Sequence, residues 1–350
     1  MRKLQVVCFL ILLFGFHSVQ SQQIDSLLTT YDSKLPQEKL HIHFDNSLYT
    51  PGQTIWYKAY LLKSNEPSGL SKNLYIDWFD EKGKFVDRII APIINATASG
   101  SFTVPQNFSG THLQVLAYTK WMLNFDSAFL FRKTIPVVQN SIALTKQQAA
   151  ATNTLLRFFP EGGDLVENIS SILAFKTQNQ GGSPADIKGI VTDKNGKEVA
   201  KFASEHDGMG KLNFTPLADE TYTAEWQDAS GNKRYTSLPT AKKEGLVLSV
   251  NTNLVKPGFS IERSTKTSER FTKGLIVAQM YQHIVFRAGF DFGEKMKISS
   301  FIPIEGLPSG ILEVTVFDAM QQPLAERILF VNNENYRLKI NVYIDTINLN

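Results

Sequence analysis

The sequence predicts an all-β fold made of tandem antiparallel β-sandwich domains. Three observations lead there. From Leu40 onward the apolar residues come in short alternating runs rather than at helical spacing, the pattern of strands buried on one face. Glycine-containing turn signals separate the runs, as in EKGK at Glu81 to Lys84 and KNGK at Lys194 to Lys197. A phrase also recurs three times: an apolar strand ending near a proline (Pro105, Pro216, Pro303), a short turn, and an alternating strand that enters a hairpin. These prolines lie 111 and 87 residues apart, which suits one sandwich of roughly 100 residues per repeat.

In chain order, Arg2 and Lys3 precede an apolar run from Leu4 to Phe16, with Val19 and Ser21 at the −3 and −1 positions of a cleavage site before Gln22. This predicts a secretory signal peptide over residues 1–21. The run is shorter than the ~20 residues of a membrane span, so no transmembrane helix is expected after its removal. Residues 22–38 form an N-terminal segment with a helical pattern. Residues 39–139 are the first sandwich. Within it Leu74, Ile76 and Trp78 share one face of NLYIDWF, and Tyr75, Asp77 and Phe79 the other. Leu113, Val115 and Ala117 alternate with His112, Gln114 and Leu116. A polar linker rich in Ala, Gln and Thr covers residues 140–154.

Residues 155–240 are the second sandwich. Asn195–Gly196 stands between IKGIVTD and KEVAKFA, which predicts a type I′ hairpin with positive φ at both residues. Residues 241–333 are the third sandwich, reached through AKKEG. Residues 334–350 begin another strand, expected to open a further domain.

Composition narrows the function. The single cysteine, Cys8, lies in the signal segment. The mature chain is therefore expected to form no disulfide, thiolate metal site or cysteine nucleophile. Arg2 and Lys3 leave with the signal, so 34 basic side chains face 33 acidic ones. No long basic run appears, and nucleic acid has no electrostatic footprint here.

The stretch DNSLYTPGQT, with Asp45, Tyr49, Pro51, Gly52 and Thr54, resembles the opening of the MG2 macroglobulin domain of the α2-macroglobulin and complement family. Asn46 and Ser47 depart from that motif's Lys-Pro pair. WMLNF, FFPEGGDL, HDGMGKLNFTP and LAERILFVN are similar to recurrent phrases of exported proteins in Gram-negative envelopes. Such proteins carry macroglobulin-like sandwiches and often a later domain similar to the plug of a TonB-dependent receptor. The resemblance implies tandem macroglobulin-like sandwiches in a periplasmic or outer-membrane-associated protein. It implies partners among other envelope proteins or proteases, and an endopeptidase-inhibitor-like role. A thioester is excluded from the mature chain by its lack of cysteine. No enzymatic activity and no cofactor are expected. A periplasmic extension of a TonB-dependent outer-membrane component is the alternative.

Four motifs compete with that reading. HIHFDN carries His41, His43 and Asp45, one residue short of a metallo-β-lactamase-type signature. On a strand the three would share a face, as metal ligands do. The competing reading turns Ile42 and Phe44 inward and leaves the polar residues in solvent. Of the remaining histidines, His112, His206 and His283 sit in no partner motif. EGGDLVE gathers Glu161, Asp164 and Glu167 as a calcium loop would, or forms a turn in which Gly162 or Gly163 takes positive φ. DGMG, Asp207 to Gly210, leads into no helix and reads as a turn or bulge rather than a phosphate cradle. The aromatics of WYKAY and WMLNF suit either a sugar or peptide surface or a sandwich core.

Overall fold

The computed structural model describes residues 26–31, 33–139, 154–179, 182–228, 231–251, 257–334 and 339–341. The expected signal segment with Cys8, linker residues 140–153 and most of the strand expected over residues 334–350 lie outside the described residues. Residues 26–31, 33 and 34 are α-helical. Short 3₁₀ turns span Trp121–Asn124, Ser127–Phe129 and Glu269–Phe271, and every other regular element among the described residues is a strand. The chain divides into two compact units, Met1–Ala150 and Ala151–Asn350.

The first unit contains β1 (Glu38–Phe44), β2 (Thr54–Lys63), β3 (Glu66–Pro67), β4 (Asn73–Phe79), β5 (Phe85–Pro92), β6 (Thr97–Thr103), β7 (His112–Tyr118) and β8 (Phe131–Pro136). β2 lies between β1 and β6, with the short β3 beside its end. The second sheet runs β5-β4-β7-β8. Every pairing is antiparallel. The structure selects one face of each alternation for the core: Ile55, Tyr57 and Ala59 on β2, Leu74, Ile76 and Trp78 on β4, and Leu113, Val115 and Ala117 on β7 are buried. Trp78 stacks on Phe102 with centroids 4.1 Å apart, which adds about 0.5–1.5 kcal/mol to the burial of both rings.

The second unit contains β9 (Leu155–Pro160), β10 (Ser171–Gln178), β11 (Lys188–Thr192), β12 (Glu198–Ala203), β13 (Met209–Phe214), β14 (Thr223–Gln227), β15 (Lys233–Ser237), β16 (Leu246–Asn251), β17 (Gly258–Arg263), β18 (Lys273–Met280), β19 (His283–Asp291), β20 (Lys297–Phe301), β21 (Gly310–Asp318) and β22 (Pro323–Val331). It holds two sheet pairs, β13-β10-β9 with β12-β11-β14-β15, and β16-β17-β20 with β19-β18-β21-β22. Each pair has its own core, one around Phe175, Phe202 and Trp226, the other around Phe259, Phe290 and Phe292.

Setting aside β3, all three sheet pairs share one strand order. Strands one, two and five form one sheet; strands four, three, six and seven form the other. The fifth strands end at Thr103, Phe214 and Phe301, two residues before Pro105, Pro216 and Pro303. The recurring proline thus marks the point where the chain leaves the first sheet, where a residue without an N–H breaks no ladder. AKKEG is more than a bridge between the last two sandwiches. Lys242 makes a parallel β-bridge with Val166, and Val166, Ile169 and Val247 form a small core of their own.

The turn at Asn195–Gly196 differs from the expected type I′. Only Gly196 is left-handed, with φ +79°. Asp193 Oδ1 accepts hydrogen bonds from the amides of Asn195 and Lys197, both at 2.9 Å. That carboxylate satisfies two loop amides, so a wider loop replaces the two-residue turn. The same cap recurs at Asp80 before Gly83, and at Asp318, where Gln321 takes the positive φ of 62°. Two consecutive positive φ values occur instead at Asn95–Ala96, Gly162–Gly163, Asp207–Gly208 and Tyr281–Gln282. DGMG is therefore a tight hairpin turn leading into β13.

Candidate functional site

The motif residues of the first unit build one local structure. Pro51 and Gly52 are the central residues of a turn closed by the Gln53 amide donating to the Thr50 carbonyl at 3.0 Å. Gly52 has φ +82°, the left-handed value a type II turn needs at that position. A Cβ there would also meet Gln106 Oε1. Thr54 then opens β2, and its hydroxyl lies 3.0 Å from that of Thr103 on β6. Tyr49 is fully buried. Its hydroxyl donates to Asp45 Oδ1 at 2.7 Å and accepts from the Asn46 amide at 2.9 Å. Asp45 Oδ1 also accepts from the Trp56 amide at 2.9 Å. The Tyr49 hydroxyl, with help from that amide, holds the Asp45 carboxyl below its ordinary value. Burial, with Asp45 second, pushes the Tyr49 phenol up to about 12.

In HIHFDN the structure follows the reading that turns Ile42 and Phe44 inward. His41 and His43 are exposed on β1, while Ile42 and Phe44 enter the core. Asp45 lies past the strand end, and one of its oxygens is occupied by Tyr49 and Trp56. Among the described residues no group of three or more His, Cys, Asp or Glu is placed to hold a metal ion. In EGGDLVE the carboxylates go to different partners instead of converging as calcium ligands would. Glu161 pairs with Arg327, Asp164 with Lys242 at 2.6 Å, and Glu167 accepts from the Asp219 amide. Gly162 and Gly163 both take positive φ.

What His41 and His43 do is border an aromatic, basic face. In register across the sheet lie His43, Lys58 and Ser99, and beside them His41, Tyr60 and Thr97. Trp56 stands on the same face opposite Ser101 and is 59% exposed. The Tyr60 ring is 6.4 Å from His41 and 5.5 Å from Lys58 Nζ. Of the two aromatic stretches, WYKAY therefore divides between core (Tyr57) and surface (Trp56, Tyr60). WMLNF is a 3₁₀ turn with Met122 buried, and Trp121 Nε1 donates to the Pro36 carbonyl at 2.6 Å.

Of the four carboxylates buried among the described residues, Glu38, Asp77, Glu161 and Asp318, Glu38 and Glu161 take roles beyond the readings above. Glu38 on β1 accepts from the hydroxyls of Ser68, Ser71 and Thr119 at 2.6, 2.7 and 2.7 Å. A signal for it existed, since Glu38 shares strand parity with inward Leu40, Ile42 and Phe44. Glu161 pairs with Arg327 at 3.2 Å and accepts from Ser249 Oγ and the Val250 amide at 3.3 and 3.4 Å. No local pattern links it to an arginine 166 residues away.

No family model and no curated protein matches the chain. Among solved structures it is similar to E. coli alpha-2-macroglobulin in its native conformation, at 10% identity and a TM-score of 0.26. That match covers 84% of this chain and 22% of that one. Salmonella alpha-2-macroglobulin reacted with methylamine gives 10% identity, 84% and 23% coverage, and a TM-score of 0.27. A tetra-tandem repeat from the extending region of a large adhesion protein gives 16% identity, 84% and 74% coverage, and a TM-score of 0.21. The chain thus spans less than a quarter of the length of the two macroglobulins. Scores this low set no common arrangement along the chains, and the all-β sandwich class rests on the sheets described above.

Proposed function

We propose that this chain is a non-catalytic binding protein of the bacterial envelope, built from macroglobulin-like modules. Its partners are other envelope proteins or endopeptidases, held without a thioester. One observation carries the reading: Trp56, Lys58 and Tyr60 lie together, solvent-facing, on a regular sheet surface edged by serine and threonine hydroxyls. Exposed tryptophan and tyrosine beside a cation are the chemistry of interface anchors, and strands hold them at fixed spacing. The signal-peptide pattern supports export to the periplasm or outer membrane, and the MG2-like motif beside this face supports the module type.

The test has two arms. The protein without residues 1–21 is run with a panel of endopeptidases in size-exclusion chromatography, alongside Trp56→Ala/Tyr60→Ala. A protease is expected to co-elute, to dissociate in denaturant, and to bind the double variant about tenfold more weakly or worse. Absence of any complex removes the protease reading. The second arm places a photo-crosslinking residue at position 56 in intact cells. Adducts confined to a TonB-dependent receptor would select the transport-extension role, and no protein adduct at all would remove the binding role.

A further inference from the structure

We propose that the second sandwich carries a separate binding site for an acidic oligosaccharide, on the outward face of the sheet β12-β11-β14-β15. This face forms an open depression of about 670 Å³, within the size range of ligand sites. Burial of Val191, Phe202, Ala224 and Trp226 in the core fixes the alternate residues outward.

Two cross-strand rows result. In the first, Lys188 and Lys233 flank Gln227. In the second, Lys201, Ile190, Glu225 and Tyr235 lie side by side. Neighbouring strands are about 4.8 Å apart, so the two lysines of the first row bracket about 10 Å with a carboxamide between them. The rows are two residues apart along each strand, about 7 Å. Tyr235 is 65% exposed, and its ring is open to stacking.

Charge pairing leaves these groups available in an ordered way. Lys201 is paired with Glu198 at 3.5 Å, and Arg234 with Asp228. Lys188 and Lys233 belong to no ion pair among the described residues, nor does Glu225. The site therefore offers a cationic row, then an acceptor carboxylate about 7 Å further on, with an aromatic ring beside the carboxylate. A uronic acid has the matching polarity: a carboxylate at one end of the ring, hydroxyl donors at the other, and an apolar ring face between. The lysines and Gln227 take the carboxylate, Glu225 accepts from the hydroxyls, and Tyr235 stacks on the ring. An acidic peptide would satisfy the lysines and leave Glu225 facing like charge.

Isothermal titration with an oligomannuronate, a neutral cello-oligosaccharide and oligoglutamate tests this. Wild type should bind the oligomannuronate, more weakly as salt rises, and should bind the other two at least about tenfold more weakly. Lys188→Ala/Lys233→Ala and Tyr235→Ala should each weaken binding about tenfold or more with unchanged thermal unfolding. Glu225→Gln should narrow the preference over oligoglutamate, a readout that mere folding would not move. No oligomannuronate binding, equal binding of oligoglutamate, or variants that bind like wild type would each overturn the proposal.

Discussion

Glu38 in the first unit and Glu161 in the second are both buried carboxylates, and their neighbours differ in kind. Three hydroxyls surround Glu38. A guanidinium, a hydroxyl and a backbone amide surround Glu161. Hydroxyl hydrogens rotate, so the Glu38 shell can accept as well as donate. Arg327 and the Val250 amide only donate, so the Glu161 shell requires a charged acceptor. The shells also join different things. The Glu38 cluster ties β1 to the 68–71 loop and, through Thr119, to the Trp121 turn, whose Met122 amide donates to the Thr119 hydroxyl at 3.2 Å. The Glu161 cluster ties the start of the second sandwich to β16 and β22 of the third. Close backbone contact supports it there: the Glu326 amide donates to the Gly162 carbonyl at 3.1 Å, and a Cβ on Gly162 would meet Leu248 backbone atoms at 3.0 Å.

The largest effect should come from breaking the ion pair. Arg327→Met leaves Glu161, 3% exposed, without its cation and is expected to cost about 3 kcal/mol in urea unfolding. A loss below that of an ordinary surface substitution would show the pair to be dispensable. Glu38→Gln should cost less, about 1 kcal/mol, because the surrounding hydroxyls can turn to accept from the amide. If it costs as much as Arg327→Met, the contrast between the two shells fails.

Smaller still is Tyr49→Phe, expected at about 1 kcal/mol near neutral pH. Its pH dependence carries the information. Asp45 has a lowered folded value, so its contribution is complete above the ordinary 3.8 and disappears as pH falls through the depressed value. Tyr49 has a raised one, so its contribution is complete below 10.0 and is lost as pH climbs toward about 12. The advantage of wild type over Tyr49→Phe should therefore shrink at acid pH, and shrink and then reverse at alkaline pH, where the buried phenol ionises and phenylalanine does not. A constant difference across pH would show that the hydroxyl acts by packing alone.

Much of the fold was legible because strand parity is a local property. Ile55, Tyr57 and Ala59 face inward for the same reason that Trp56 and Tyr60 face outward, and the candidate binding face follows from that alternation. The turn at Asn195–Gly196 was misread although the dipeptide is a hairpin signal. Asp193, two residues earlier, captures the loop amides, and D-x-x-G outweighs N-G.

By itself the sequence determined the all-β class, the two-face alternation of its strands and the threefold recurrence marked by Pro105, Pro216 and Pro303. Each follows from steric rules acting over a few residues. Only the tertiary structure decided that Glu161 meets Arg327, that Glu38 is enclosed by hydroxyls from two distant loops, and that Lys188, Lys233, Glu225 and Tyr235 share one sheet face. Those arrangements depend on strand order and on which chain segments packing brings together, and no local pattern in the residues records either.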